Sequence, residues 1–479
     1  MLFNSVEFFV FIILCFLAYW FVFKTKKSQN LFLLAISYFF YGWWDWRFLF
    51  LILASSLLDF FIGLKISKTP DKPKRRWLLV LSLFFNLGAL ALFKYYDFFI
   101  SSLAEAIPAL DTDGLLLNVM LPVGISFYTF QTLSYSIDVY KGQIKAESNL
   151  VSFAAFVCFF PQLVAGPIER AKDLLPQFEK NRVFKSKDAY EGLQLILWGL
   201  FKKSVIADNV SIYADKIFHD YQHYDSGTLL LGAVLFSSQI YCDFSGYSDI
   251  AIGTSKLFGF KLSRNFNFPY FSKNITEFWK KWHMSLTNWF RDYIYIPLGG
   301  SRGSSLVLVR NIFIVFFISG IWHGANWTYI LWGTLNGVLF IPITLYNKHF
   351  NKSKLLTAKI FNIPKIVFTF LMVSILWVFF RADSIGMAFG YVDGLVDFTG
   401  FTPVSYLKNI YGFITWNKCQ YIFPLLLVLY SFEYVNRNNE FGLDFKLKPI
   451  LKLFLSTFIF LLWFVYANYP SEDFIYFQF

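Results

Sequence analysis

The chain has 479 residues, of which 56% are hydrophobic, 22% aromatic and 15% charged, with a formal net charge of +12. Soluble domains carry about 25% charged residues, and a mean hydropathy of +0.49 with 63 phenylalanines excludes a soluble globular protein. Apolar runs of about 18–20 residues suit membrane helices, where a β-barrel would alternate over segments of about ten; the basic residues fall in short loops between those runs, not in one patch, which argues against a nucleic-acid partner.

The first run, residues 6–23, carries Glu7 and lacks a basic leader and a small-residue cleavage site, so it reads as a retained span and not a signal peptide. It ends at Lys24, and by the positive-inside bias the N-terminus is extracytoplasmic. Residues 31–64 are too long for one span, and the Trp-rich stretch 43–47 reads as an interfacial turn between two. The basic loop 65–76 is then cytoplasmic, residues 77–93 cross again, and the acidic loop 105–113 lies outside. Residues 115–135, 151–164 and 193–207 form an apolar region interrupted by Pro122, Gly124, Pro161, Gly166 and Pro167. Such interruptions fit re-entrant or broken helices that line a cavity.

Residues 229–241 precede the polar run Asp243-Phe244-Ser245-Gly246-Tyr247-Ser248-Asp249, whose two carboxylates suit a catalytic or proton-relay pair but read better as helix ends capped by Asp and Ser with packing around Gly246. Residues 262–304 are basic and weakly apolar, a cytoplasmic-side amphipathic region. Residues 312–318 and 327–345 form a hairpin, and 366–380, 422–434 and 450–468 are further spans, leaving the tail 469–479 extracytoplasmic. The expectation is an all-α polytopic membrane protein of about eleven transmembrane or re-entrant helices, a single membrane-embedded domain over 1–479. The four cysteines, Cys15, Cys158, Cys242 and Cys419, form no C-x-x-C pair, so no metal site and no disulfide framework is expected.

One of only five histidines, His323, stands in the turn of the hairpin, within Gly320-Ile321-Trp322-His323-Gly324-Ala325-Asn326-Trp327. From Asn311 the helix climbs about 18 Å at roughly 1.5 Å per residue, near or past the middle of a core about 30 Å thick. An imidazole at that depth is either satisfied by a neighbouring helix or functional. As a general base it needs a cavity, and Gly320 and Gly324 would leave room for substrate. The second mixed region, residues 277–293, reads as an interfacial helix or as a holder of an anionic cytoplasmic ligand. Lys280, Lys281, Arg291 and Arg302 would supply charge, and indoles such as Trp282 would cover an adenine.

The segments Phe278-Trp279-Lys280-Lys281-Trp282-His283-Met284-Ser285-Leu286, Arg291-Asp292-Tyr293-Ile294-Tyr295-Ile296-Pro297-Leu298-Gly299-Gly300 and that around His323 resemble the membrane-bound O-acyltransferase family, in its bacterial alginate O-acetylation branch. So do Leu121-Pro122-Val123-Gly124-Ile125-Ser126-Phe127-Tyr128-Thr129-Phe130-Gln131 and Phe160-Pro161-Gln162-Leu163-Val164-Ala165-Gly166-Pro167-Ile168. The resemblance implies helices around a central tunnel in the bacterial cytoplasmic membrane, with acetyl-CoA entering from the cytoplasm. It implies that His323 is the catalytic base, and that His283 is a second polar position that holds the thioester or its oxyanion. The donor side would involve Lys280, Lys281, Trp282, Arg291, Arg302 and Asn326.

The chain ends Phe474-Ile475-Tyr476-Phe477-Gln478-Phe479. This is an interfacial aromatic anchor, or a tail that folds back. Eight extended steps from Asn468 to Tyr476 reach about 26 Å, against about 15 Å from the surface to the midplane. The pattern resembles the acyl-carrier motif of relatives, including the small partner peptide of teichoic-acid D-alanylation, in which a Tyr hydroxyl takes the acyl group. An acetyl relay would then run through Tyr476 to a separate extracytoplasmic esterase-like (SGNH) transferase and on to alginate, another exopolysaccharide or peptidoglycan. D-alanyl transfer to teichoic acid and direct acylation of a lipid or sugar in the tunnel are the alternatives. A flippase for an envelope precursor also fits broken helices, but paired interrupted segments in two halves and a phosphate-binding loop are missing from the sequence.

Overall fold

The computed structural model describes residues 1–107, 114–164, 166–349, 361–397, 402–439, 448–467 and 474–475. Among these the regular structure is entirely helical. Among the described residues six helices are long and apolar enough to cross a membrane, and five shorter apolar helices accompany them, as an all-α polytopic membrane protein requires. The described residues form two compact units, residues 1–196 with 250–264, and residues 197–249 with 265–479.

In the first unit, α1 (Val6–Leu17) and α2 (Lys26–Gly42) start at side-chain caps, Ser5 and a Thr25/Ser28 capping box. The expected turn follows. Asp45 accepts from the Arg47 amide at 2.9 Å, and α3 runs Leu49–Lys68. Next come α4 (Lys72–Leu90) and α5 (Tyr96–Ala106), joined through a π-helical turn, and α6 (Ile125–Tyr140). Inside this unit the buried Asp59 carboxylate of α3 accepts from Asn86 Nδ2 and Ser136 Oγ, both at 2.8 Å, and from Ser82 Oγ, so neutral donors from α4 and α6 satisfy it.

The interrupted region is broken where the prolines and glycines predict. Helix α6 starts only after Gly124, whose φ is +77° and whose missing Cβ would lie 2.5 Å from Leu163 O. The segment 151–164 splits into α7 (Leu150–Val157) and α8 (Phe160–Leu163). Helices α9 (Ala171–Glu179) and α10 (Ser186–Leu200) follow. The third segment is not interrupted: α10 continues through a π-helical stretch, Phe201–Ala207, into α11 (Asp208–His219).

The second unit contains most of α12 (Ser226–Leu257), then α13 (Ile275–Trp279), α14 (Met284–Phe290), a π-helical turn Arg291–Tyr295, and the hairpin α15 (Ser305–His323) and α16 (Trp327–His349). It closes with α17 (Asn362–Arg381), α18 (Ile385–Val396), α19 (Pro403–Trp416), α20 (Ile422–Asn436) and α21 (Pro449–Tyr466). The sequence reading missed α18 and α19. It also took the run 243–249 for helix ends, whereas this run lies in the middle of the 32-residue α12. The expected packing at Gly246 does occur, since a Cβ there would sit 2.8 Å from Gly199 O.

Candidate active site

His323 closes α15, and the helix is held against α16 by backbone contact. A Cβ on Gly320 would fall 2.5 Å from Tyr329 O, and one on Gly333 2.5 Å from Phe316 O. A Cβ on Gly324 would meet the Tyr329 ring at 2.3 Å. The glycines beside His323 therefore serve helix–helix approach and do not open room for substrate, contrary to the expectation from sequence. What surrounds the buried imidazole is aromatic: Trp332 with ring centres 5.0 Å away, Phe380 at 5.4 Å and Trp322 at 5.0 Å.

Trp322 also touches His283, at 5.8 Å, so one indole contacts both imidazoles. His283 is 1% exposed and meets Phe244 of α12 edge-on at 4.7 Å. It caps α14 with φ of +43°, left-handed backbone that a non-glycine residue adopts at a cost. Asn265 braces the turn. Its carbonyl accepts from the Met284 amide at 2.8 Å, its Oδ1 accepts from Ser285 Oγ at 2.6 Å and its Nδ2 donates to Ser248 Oγ at 3.1 Å. Burial pulls the His283 imidazole down from its ordinary range to about 3, so it is neutral at physiological pH.

A cavity of about 510 Å³, within the size range of small-molecule sites, is lined by Met284, the neighbour of His283 in sequence, and by α15 one turn before His323; neither imidazole is part of its wall. Lys280, Arg291 and Asn347 give it polar wall, and Ile312, Phe316 and Ser319 of α15 line it. Ser319 lies one helical turn before His323 on the same face. Trp279, also in the wall, stands 5.6 Å from Trp332, the ring that packs on His323.

The tail comes to the same unit. Phe474 is fully buried and Ile475 is 4% exposed. The Phe474 ring packs on Tyr247 at 4.3 Å and on Phe244 at 5.8 Å, and the Ile475 amide donates to Asp243 Oδ2 at 2.7 Å. Phe244, which carries Phe474, is the ring that touches His283. Tyr476 lies outside the described residues.

Residues 143–382 match the membrane-bound O-acyltransferase family, MBOAT. The chain is 42% identical over 377 residues to a probable alginate O-acetylase AlgI of Pseudomonas aeruginosa, covering 78% of this chain and 71% of that protein. The chain belongs to the membrane-bound O-acyltransferase family. It is 36% identical over 449 residues to the peptidoglycan O-acetyltransferase of Helicobacter pylori, covering 86% and 83% of the two chains, and 31% identical over 264 residues to a teichoic acid D-alanyltransferase of Bacillus subtilis, covering 53% and 67%.

This protein is thus an integral multi-pass membrane enzyme, an O-acyltransferase. Of the residues expected on the donor side of the acyltransferase, Lys280 and Arg291 line the cavity. The others sit elsewhere. Lys281 is tied to Glu277 at 2.7 Å, and Trp282 is wholly buried among Phe266, Phe278 and Trp377. Arg302 is exposed, and Asn326 caps α16 through the Thr328 amide at 3.0 Å while its Nδ2 donates to Asp383 O at 3.1 Å.

Two groups of residues went unassigned in the sequence. Ser319, in the cavity wall, has no signature beyond its helical spacing from His323. The adjacent Lys202 and Lys203, inside an apolar segment, did carry a signal. Lys203 Nζ is 2.8 Å from Asp208 Oδ1 and 2.9 Å from Asp243 Oδ1, and Lys202 Nζ is 2.7 Å from Asp249 Oδ2.

Proposed function

We propose that this acyltransferase carries acetyl from cytoplasmic acetyl-CoA to Tyr476 of its own tail, for O-acetylation of an extracytoplasmic polysaccharide such as alginate or peptidoglycan. The observation that carries this reading is the burial of Phe474 and Ile475 one ring away from His283. A surface anchor would leave these residues at the interface. The names of the relatives, an alginate O-acetylase and a peptidoglycan O-acetyltransferase, support the acetyl group and the class of acceptor.

In the proposed step the cavity holds the thioester, with Lys280 and Arg291 facing the anionic end of acetyl-CoA. His323 takes the proton of the Tyr476 hydroxyl as its oxygen attacks the thioester carbonyl. The carbon–sulfur bond breaks, the imidazolium returns the proton to the leaving thiolate, and free CoA and an acetyl-tyrosine ester result. That phenolic ester is activated enough for a second transfer, to a polysaccharide hydroxyl on an extracytoplasmic SGNH, esterase-like partner. The basic loops favour both termini outside the bacterial cytoplasmic membrane, which exposes the loaded tail to that partner.

The test is to incubate purified full-length protein with acetyl-labelled CoA and map the label by mass spectrometry. Label on the C-terminal peptide, lost in Tyr476→Phe and in His323→Ala, is the expected result. Undiminished label in Tyr476→Phe overturns the tail as carrier, and undiminished label in His323→Ala overturns the base.

A further inference from the structure

We propose that Asp243 anchors the C-terminal tail at Ile475 and so sets the register of the tail beside the Phe244 ring that borders His283. In α12, a carboxylate would be costly without a partner. Asp243 has two. Lys203 Nζ lies 2.9 Å from Oδ1, and the Ile475 amide donates to Oδ2 at 2.7 Å. Lys203 is fixed in turn by Asp208 at 2.8 Å. It sits in the π-helical stretch Phe201–Ala207, packed so closely on α12 that a Cβ on Gly246 would lie 3.0 Å from the Lys203 amide. The acceptor for the tail is therefore built into the rigid interior of the unit and does not belong to a surface loop.

Lys203 is shared between two carboxylates. A backbone amide brought to Oδ2 gives Asp243 a charge-assisted hydrogen bond without adding a side-chain charge. Both partners of Asp243 can only donate, so both of its oxygens must accept. Asparagine offers one acceptor oxygen, and the pair at Lys203 would claim it, which turns the amide nitrogen towards the Ile475 N–H. Below the hydrogen bond, Phe474 fills the space between Tyr247 and Phe244. Because Phe244 also touches His283 at 4.7 Å, seating Phe474 loads the ring that borders His283. Asp243 and Lys203 are positioning residues: they act through the tail. The consequence for transfer rests on the reading of Tyr476 as carrier, whereas the seating of the tail does not.

The experiment uses full-length protein in detergent and two readouts, hydrogen exchange of the C-terminal peptide and the rate of tail labelling from labelled acetyl-CoA. Asp243→Asn attacks the acceptor. Ile475→Pro removes the donor, together with the buried Ile475 side chain and the freedom of φ there, and leaves the buried charges intact, so it reports even where the first variant folds poorly. Both are expected to speed exchange of the tail roughly tenfold to a hundredfold, the range of one charge-assisted hydrogen bond. Both should lower kcat for tail labelling by at least about tenfold with KM for acetyl-CoA unchanged, and Asp243→Glu should restore part of both. Wild-type exchange as fast as that of a free peptide overturns the anchor, as does wild-type protection in both variants. Fast exchange with unaltered labelling, where Tyr476→Phe abolishes labelling, overturns the positioning role and spares the carrier. Fast exchange with labelling that survives Tyr476→Phe leaves the anchor standing and removes the carrier.

Discussion

Substituting Gly320 by alanine is a direct probe of how the hairpin holds His323. The added Cβ would lie 2.5 Å from Tyr329 O and 3.0 Å from Ile330 Cα. Both are backbone atoms, so no side chain can swing aside. Carbon and oxygen need about 3.4 Å or more, so α15 and α16 must part by about 1 Å. Gly333 faces the same seam, with the Cα of Gly320 only 2.9 Å from its own missing Cβ, which closes the route of sliding along the axis. Overpacking of this kind costs about 1–3 kcal/mol. The catalytic effect is expected to be larger than the stability effect suggests. His323 is less than one turn beyond Gly320, and Trp332, which packs on the imidazole at 5.0 Å, precedes Gly333. A misplacement of about 1 Å costs on the order of 10²-fold in rate.

The assay is the initial rate of tail labelling from acetyl-CoA, with thermal unfolding in detergent measured in parallel. Gly88→Ala is the control, because a Cβ there meets nothing within 4 Å and alanine gains up to about 1 kcal/mol of helix propensity. Gly320→Ala should lose about two orders of magnitude in rate and melt earlier, and Gly88→Ala should lose neither. A Gly320→Ala protein with wild-type rate and melting temperature would refute the claim that these glycines position the base.

Replacing Lys203 by methionine removes the cation shared by two buried carboxylates and should cost about 3–5 kcal/mol, read as loss of monodisperse protein on size-exclusion chromatography, with partial recovery on adding Asp208→Asn. Lys280→Ala and Arg291→Ala should each raise KM for acetyl-CoA about two- to fivefold, as for exposed charges, with kcat little changed and the effect fading in high salt; a change confined to kcat would remove these residues from the donor site. His283 has a folded value of about 3 against 6.5 for an ordinary imidazole. Its contribution to stability is therefore complete above pH 6.5 and is lost as pH falls from there towards 3. Unfolding measured at pH 7.5 and pH 5.5 should differ by about 1.4 kcal/mol more in wild type than in His283→Gln.

The hairpin of His323 was legible because a histidine between two apolar runs and the flanking Arg302 and Lys348 are local signals. The turn at Asp45 was legible for the same reason. The run 243–249 was misread because Asp and Ser favour helix ends when judged locally. In the fold, Lys202 and Lys203 reach Asp249 and Asp243 from a π-helical stretch, and this tertiary pairing lets α12 continue. A π-turn leaves no mark in a period of 3.6, so the placement of two consecutive lysines on one helix was not readable. Helices α18 and α19 are short and carry Asp393 and Lys408-Asn409 inside their apolar runs, so neither stands out as a span. The glycines at 320 and 324 were seen, but one chain segment cannot tell whether the space beside a glycine is taken by a ligand or by Tyr329.

The two histidines are built for different tasks. His323 ends a 19-residue helix clamped by backbone contact, and a site on such an element keeps its geometry. His283 is held in left-handed backbone, which costs on the order of 1–3 kcal/mol and persists because Asn265 fastens it to Met284, Ser285 and Ser248. Relaxing that turn would carry the imidazole away from Trp322 and Phe244. With its value near 3, His283 carries no proton charge at neutral pH, so it does not serve as a general acid from the imidazolium form. A neutral imidazole still has one N–H to give. In the proposed transfer this leaves His323 to take the hydroxyl proton and His283 to hold the carbonyl oxygen as charge develops on it. Ser319, one turn before His323 on α15, lines the cavity, and Phe474 packs on Phe244 of α12, the ring beside His283. In the proposed transfer the donor would therefore approach along α15 and the tail along α12.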